Sequence, residues 1–182
     1  MNMLPKTAMF LAMLGLAVPV GAASSKIDSM YTDLSGKACK DTESGDYGGK
    51  GRCPGVAGYM LDWAEDDLRQ TINVIDPKGR DFPLELWSTV SSGFSALGEK
   101  AEWRVSKDGN KINPLALIVR YNVSEDPDKP EKTTSYLTVS KITPNEVCVT
   151  DVVKPGKDAN EQARKLADVA ASKPCKVAGS GG

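Results

Sequence analysis

Histidine is missing from this chain of 182 residues. Its absence excludes Ser/His/Asp and Cys/His catalysis, which need an imidazole as general base, and it removes the commonest ligand of transition metals. Cysteine is scarce as well, and the four cysteines include no closely spaced CxxC pair of the kind that structural zinc sites use. We therefore predict no metal site and no cofactor.

An excess of charge of one sign is also missing. The chain has 23 Lys and Arg against 24 Asp and Glu, for a formal net charge of -1. The two signs are mixed along its length, and no basic stripe of the kind that nucleic-acid binders carry is present. We therefore expect no nucleic-acid partner.

Long apolar runs are absent except at the N-terminus. There Lys6 precedes MFLAMLGLAVPVGAA, a run that ends in small residues and is interrupted by Pro19. A membrane span needs about 20 apolar residues, whereas a short positive region, an apolar stretch and small residues are typical of an export signal. Residues 1–23 are predicted to be a signal peptide cleaved after Ala22 or Ala23, with no membrane insertion afterwards.

The four cysteines all lie in the exported part of the chain. An even number of cysteines in an oxidising compartment favours two disulfides, although four cysteines allow three pairings. We predict the pairs Cys39 with Cys53 and Cys148 with Cys175. The first pair closes a loop of roughly 15 residues, for which chain entropy gives about 3 kcal/mol of stabilisation.

The stretch from Leu115 to Val153 has the strongest strand pattern. It contains the runs LALIVRYNV, TTSYLTVSKI and VCVTDVV, rich in β-branched and aromatic residues and separated by polar turns. In the first run Leu117, Val119 and Tyr121 share one side, which predicts a strand with one face in a core. Three such runs in succession predict an antiparallel meander.

One convincing helix follows, in DANEQARKLADVAASK. Asp158 is predicted to cap it, with Glu161 as the reciprocal partner of a capping box. A stripe of small residues at helical spacing suits close packing on a sheet; its members are Ala159, Ala163, Leu166, Ala167 and Ala170. The predicted fold is a single α+β domain over residues 24–176, an antiparallel β-meander sheet of five to seven strands packed by a C-terminal α-helix, with two disulfides and a flexible tail over residues 177–182.

Two further segments precede the meander. The run VAGYMLDWAEDDLRQTINVID predicts a β-hairpin that turns at residues 65–67. The segment KDTESGDYGGKGR, between the first two cysteines, predicts an irregular loop because it contains four glycines. Its acidic residues Asp41, Glu43 and Asp46 weakly resemble a calcium loop, but the EF-hand spacing is absent, which favours a solvated loop closed by a disulfide.

Short segments along the chain resemble a group of exported bacterial proteins of unknown function. They are YTDL, CPGVAGY, DDLR, AEWR, LIVRY, TSYLTV and ARKLAD, together with Cys39, Cys148 and Cys175. The similarity covers most of the mature chain. It implies a bacterial origin and export to the periplasm or beyond, and it brings no activity, substrate or catalytic residue.

Three arginines project opposite the apolar side of predicted strands. Arg69, Arg104 and Arg120, with Glu102 beside them, would form a guanidinium cluster if their strands are neighbours. Such a cluster binds carboxylates or phosphates through bidentate hydrogen bonds. The alternative is a solvated ladder of cross-strand ion pairs, each worth about 0 to 1 kcal/mol.

The three tryptophans offer a second kind of site. Trp63 and Trp103 alternate in phase with apolar neighbours, which favours the core over a sugar-stacking platform, and the position of Trp87 stays open. For catalysis the sequence leaves only carboxylates, such as Asp62, Glu102 and Asp126, and singles out no nucleophile.

The preferred function is therefore an exported, non-catalytic binding module whose partner is an anionic envelope component or a protein. One alternative is a carboxylate-based hydrolase acting on cell-wall glycans. The other is a structural envelope protein without a small ligand.

Overall fold

The computed structural model describes residues 26–45, 48–126, 128–177 and 179. The predicted signal peptide and most of the predicted tail lie outside these residues. The strands are β1 (Ile27–Asp33), β2 (Lys40–Gly45), β3 (Gly48–Pro54), β4 (Met60–Asp66), β5 (Arg69–Ile75), β6 (Asp81–Pro83), β7 (Phe94–Asp108), β8 (Lys111–Ser124), β9 (Thr133–Ile142) and β10 (Val147–Val153). The α-helices are α1 (Leu86–Thr89) and α2 (Ala159–Asp168), and single 3₁₀ turns cover Gly36–Ala38 and Ala170–Ser172.

All the described strands belong to one sheet, in the order β10-β9-β8-β7-β5-β4-β3-β2, with β1 paired to β7 and β6 to β5. The pairs are antiparallel except β5 with β7, which meet in parallel at a single pair, Arg69 and Ser95. We call β1 and β7–β10 the covered half and β2–β6 the open half. The α+β class is confirmed, but the sheet has more strands than the five to seven predicted.

The two halves share one hydrophobic core. The covered half contributes Trp103, Val119 and Tyr121, and the open half contributes Leu61 and Val74. The predicted alternation in β8 is confirmed, because Leu117, Val119, Tyr121 and Val123 are all buried in this core.

The opposite face of β8 is buried too, so the prediction of a strand with one buried face was wrong. Ala116 and Ile118 lie in a second, smaller core against α2. The helix contacts β7, β8, β9 and β10. An alanine at position 116 does not indicate in the sequence whether its side of the strand is buried. The position of the helix determines that this side is buried.

The stripe of small residues on α2 packs as predicted, since Ala163, Ala167 and Ala170 are buried against the sheet. The capping box, however, is not formed. Asp158 makes no side-chain hydrogen bond to the start of the helix. Glu161 instead pairs with Lys165 one turn further on, at 2.7 Å, where an i,i+4 ion pair competes with the cap for the same carboxylate.

Both predicted disulfides are confirmed. Cys39 bonds Cys53 and Cys148 bonds Cys175. The second bond fixes the segment after α2 to β10, where the Lys176 N–H also donates to the Val149 carbonyl at 2.8 Å. Disulfides of this kind are typical of proteins that mature in an oxidising compartment. Within the described residues no helix is long and apolar enough to cross a membrane.

The hairpin of β4 and β5 is confirmed, but it turns at Asp67 and Leu68 and not at residues 65–67 as predicted. Both residues have positive φ, 48° and 59°, as the two central residues of a type I′ turn require. Leu68 is 59% exposed, because it occupies the tip of the turn.

The glycine-rich segment is not an irregular loop, so that prediction was wrong. It forms the hairpin of β2 and β3, with β3 paired to β4. Glycine is needed here because the Trp63 indole lies over the strand: a Cβ atom on Gly51 would lie 2.2 Å from Trp63 Nε1. Close approach of a neighbouring ring is one of the conditions under which glycine is tolerated inside a strand.

Candidate functional site

The predicted site residues Glu102 and Arg104 lie under α2 and are only 9% and 8% exposed. The expectation that both project to the solvated face was wrong, because α2 covers that face of β7. Arg104 donates to both carboxylate oxygens of Asp168 on α2, at 2.6 and 2.9 Å. Glu102 accepts from Arg164, also on α2, at 2.6 Å. These contacts fasten the helix to the sheet.

The electrostatics of this cluster are balanced. Burial acts to raise the pKa of the Glu102 carboxyl, but hydrogen bonds from Arg164 and Ser29 outweigh burial and hold the pKa below its ordinary value of 4.5. The hydrogen bond that Arg164 donates to Glu102 raises the pKa of Arg164, so that side chain stays charged. Two guanidinium groups and two carboxylates thus neutralise one another.

The other two arginines have separate partners. Arg120 donates to Ser135 Oγ at 2.9 Å and to Asn160 Oδ1 at 3.3 Å. Arg69 donates to Asp67 and to the Ser92 carbonyl, and its guanidinium lies 5.0 Å from the Phe94 ring centroid. The structure therefore brings Glu102 and Arg104 together and engages Arg69 and Arg120 elsewhere.

An opening in the open half lies around Trp63. Two adjoining cavities of about 480 and 280 Å³ share the side chains of Trp63 and Asp41. We call them together the Trp63 groove. The larger is also lined by Glu43, Ser44, Gly45, Gly48, Gly49, Glu65, Asp67 and Leu68, and the smaller by Leu34, Ser35, Gly36, Cys39, Gln70, Ala96, Leu97, Gly98 and Glu99.

The groove lies at the end of the core-facing side of the open half, where large side chains give way to glycines. Along β4, Leu61, Trp63 and Glu65 point to the same side, but only Leu61 is fully buried. Opposite Trp63 and Glu65, β3 carries Gly51 and Gly49. The Trp63 indole occupies the space over these two glycines and forms the wall of the groove.

The groove carries negative charge. Asp41, Glu43, Glu65 and Asp67 line the larger cavity, and among the residues that the structure describes no Lys or Arg side chain lines either cavity. Lys50 pairs with Glu43 from outside at 2.8 Å. An indole beside several carboxylates suits a positively charged group, which the ring attracts electrostatically and the carboxylates neutralise.

Gln70 holds one of these carboxylates in place. Its Nε2 donates to Glu65 at 2.6 Å, while its Oε1 accepts from the Leu97 N–H at 2.7 Å. Asp67 is held in the same way by Arg69, at 2.5 Å. The two acidic groups therefore have fixed positions at the end of the hairpin.

The remaining sequence candidates are dispersed. Trp103 is fully buried and donates to Thr32 Oγ1 at 2.9 Å, which confirms it as core, while Trp63 packs against the core and also lines the groove. Asp62 forms a bidentate pair with Arg52. Glu102 lies under α2 and Asp126 lies on the loop after β8, so these three carboxylates share no cleft.

One group of possible metal ligands occurs among the described residues, namely Glu146, Cys148 and Cys175. Both sulfur atoms belong to the disulfide, so this group cannot supply thiolates to an ion. It is a structural feature at the end of β9 and β10.

The sequence interpretation missed the Trp63 groove because it placed the glycines in a loop. A usable signal was present: Gly49 and Gly51 alternate along the segment with period two, as residues on one side of a strand do. Pairing that segment with β4 would have placed a tryptophan opposite glycine.

Comparison of the chain with protein-family models, with curated proteins and with solved structures finds no match. Fold and site together define an antiparallel α+β protein, held by two disulfides, with an acidic groove built around one tryptophan.

Proposed function

We propose that this chain is an exported, non-catalytic binding module that recognises a positively charged group in the Trp63 groove. The observation that carries the proposal is the Trp63 indole between two adjoining cavities, with four carboxylates and no Lys or Arg among the described residues that line them. A preformed cavity of several hundred Å³ with a few fixed polar groups is typical of ligand sites.

The charge of the groove decides the class of ligand. An amine, a guanidinium or a quaternary ammonium gains both from the indole face and from the carboxylates, whereas a phosphate or a carboxylate is repelled. The anionic ligand expected from Arg69, Glu102, Arg104 and Arg120 stays a prediction. The contacts of those arginines favour it less, because each guanidinium already has partners within the protein.

The test is calorimetric titration of the oxidised mature protein with trilysine, with triglutamate as the matched probe of opposite charge. We expect trilysine to bind, more weakly at high salt, and triglutamate not to bind. Trp63→Ala should weaken trilysine binding about tenfold, the size of a desolvated cation–π contact. Trp87→Ala serves as the control outside the groove lining and should bind as the wild type does.

Binding of trilysine with equal affinity by wild type and Trp63→Ala would contradict the proposal. So would a preference for triglutamate.

The same groove supports a second candidate, a hydrolase acting on cell-wall glycans. Several carboxylates next to an aromatic platform are the parts that glycoside hydrolysis uses, one as acid and one as base or nucleophile. Release of reducing ends from chitotriose or from cell-wall fragments, lost in Glu65→Gln, would favour this candidate. No release above the rate in buffer would leave binding as the function.

Export completes the proposal. The signal peptide, a bacterial host and delivery to the periplasm or beyond rest on the sequence pattern of residues 1–23 together with the two disulfides. Expression of the full chain in a bacterium, followed by N-terminal sequencing of the secreted or periplasmic product, tests them. The mature chain should begin at Ala23 or Ser24.

A further inference from the structure

The strand β2 is the last strand of the open half and has one paired side only. It pairs with β3 and ends the path of the sheet. All six of its residues are exposed. Among the described residues, no backbone group of β2 bonds to anything on its outer side. The outer edge therefore presents a row of free N–H and C=O groups, the template on which a further strand can form.

This open edge borders the Trp63 groove. Asp41, Glu43, Ser44 and Gly45 of β2 all line the larger cavity. A chain that added to β2 would therefore run along the acidic side of the groove, and its side chains, which alternate between two faces, would enter the groove at every second residue.

The charge of β2 selects the occupant. A second copy of this chain that paired antiparallel through its own β2, centred on Thr42, would set Asp41 against Glu43, and like charges across a strand pair are destabilising. A segment with Lys or Arg at alternate positions has the complementary charge and places cations beside Trp63. An open edge, a cavity beside it and this charge together specify a basic extended polypeptide.

We propose that the partner of the groove is an extended, basic segment of another protein, which adds to the outer edge of β2 as a strand. This inference rests on the proposed function, because it names the class of ligand for the same groove. It predicts main-chain hydrogen bonds to β2 together with side-chain contacts to Trp63 and the carboxylates, the pattern typical of β-strand addition.

The experiment uses the oxidised mature protein and the blocked peptide TKTKTKT, in which lysine alternates with threonine. In an added strand the N–H groups of alternate residues point to β2 and the others point away. Two analogues carry N-methyl groups either on the lysine amides or on the threonine amides. Methylation of the three lysine amides or of the three internal and C-terminal threonine amides leaves the charge and the number of methyl groups equal, so the analogues differ in which row of N–H groups is blocked.

We expect one analogue to bind about tenfold or more weakly than the parent peptide, from the loss of several hydrogen bonds, and the other to bind nearly as well. On binding of the parent peptide, hydrogen exchange of β2 amides that point outward should slow. A TKTKTKT peptide in which lysine is replaced by glutamate should not bind.

Each contrary result has a distinct meaning. If both methylated analogues bind as tightly as the parent and Trp63→Ala still weakens all three, strand addition is overturned while the groove keeps its proposed function. If neither trilysine nor TKTKTKT binds, both proposals fail. Concentration-dependent dimerisation, with exchange protection of β2 in the absence of peptide, would make a second copy the occupant and would overturn the choice of a basic partner.

Discussion

The covered and open halves of the sheet are built from similar strands but end differently. In the covered half, α2 and its alanine stripe close the outer face, and Glu102 and Arg104 are sealed beneath it with their charges paired. Within the described part of the chain, no helix lies over β2 and β3 of the open half, and a glycine stands opposite Trp63 on β3. The covered half is therefore closed by a helix with its charges paired inside, whereas the open half keeps an acidic groove in which Glu43 pairs with Lys50 and Asp67 with Arg69.

The largest expected difference between the two halves is in the stability contributions of Trp103 and Trp63. Trp103→Ala should lower the free energy of unfolding by about 3 to 5 kcal/mol, because it empties a fully buried site. Trp63→Ala should cost about 1 to 2 kcal/mol, since less area leaves contact with the core. Urea unfolding monitored by circular dichroism measures both. Equal losses would show that Trp63 is a core residue and that the groove is not an open site.

The two disulfides provide the next test of the comparison between the covered and open halves. Chain entropy gives about 3.5 kcal/mol for Cys148–Cys175 and about 3 kcal/mol for Cys39–Cys53, so replacing either pair by serine should lower global stability by similar amounts. The local effects should differ. Among the described strands, β2 pairs only with β3, and it buries no residue. Loss of the Cys39–Cys53 bond should therefore selectively speed hydrogen exchange in β2. Equal protection of β2 in both variants would contradict this.

The ionic cluster under α2 gives a third test. Glu102→Gln should lower stability by about 2 kcal/mol at pH 7, because hydrogen bonds to a charged acceptor are lost. The lowered pKa of Glu102 means that its contribution is present above the ordinary value of 4.5 and is lost as the pH falls through the folded value. Acid unfolding of the wild type should therefore begin below about pH 4.5, and the variant should show a flatter pH dependence.

Glu161→Gln is the matched control for that test. Its partner Lys165 is exposed on the same helix, so the substitution should leave both stability and its pH dependence nearly unchanged. An equal flattening of the acid limb in the two variants would remove Glu102 as the source.

The smallest expected effect comes from a substitution of Gly51 in β3. Gly51→Ala should cost about 1 to 2 kcal/mol and move the Trp63 ring, because the added methyl overlaps the indole. Gly156→Ala is the matched control, since a Cβ atom there meets nothing within 4 Å. In a Trp87→Phe background, the change in tryptophan fluorescence caused by Gly51→Ala reports on the Trp63 ring. An unchanged spectrum and unchanged stability in Gly51→Ala would contradict the close packing of Trp63 on β3.

The sequence was sufficient for much of the fold. Period-two alternation in β8, the small stripe on α2 and both cysteine pairs are local or compositional signals, and each predicts what the structure contains. The hairpin of β4 and β5 follows for the same reason. The alternation at Leu117 and Val119 carries no information about the position of α2. It therefore predicted that the opposite face of β8 is exposed.

The candidate site was harder to predict because it depends on pairing between segments. Arg104 looked free while its partner Asp168 lies 64 residues away on α2. Likewise, glycine in isolation indicates a loop, and only the neighbouring Trp63 makes Gly51 suitable for a strand. Long-range partners determined both outcomes, and no short window of sequence includes them.

The most direct test is chemical-shift mapping of the ¹⁵N-labelled mature protein during titration with trilysine and, separately, with triglutamate. The groove account predicts that trilysine shifts amides in β2, β3 and the hairpin tip around Trp63 and Asp67, while triglutamate shifts none of them. Shifts around Arg104 and Arg120 with triglutamate, and none around Trp63 with trilysine, would contradict it.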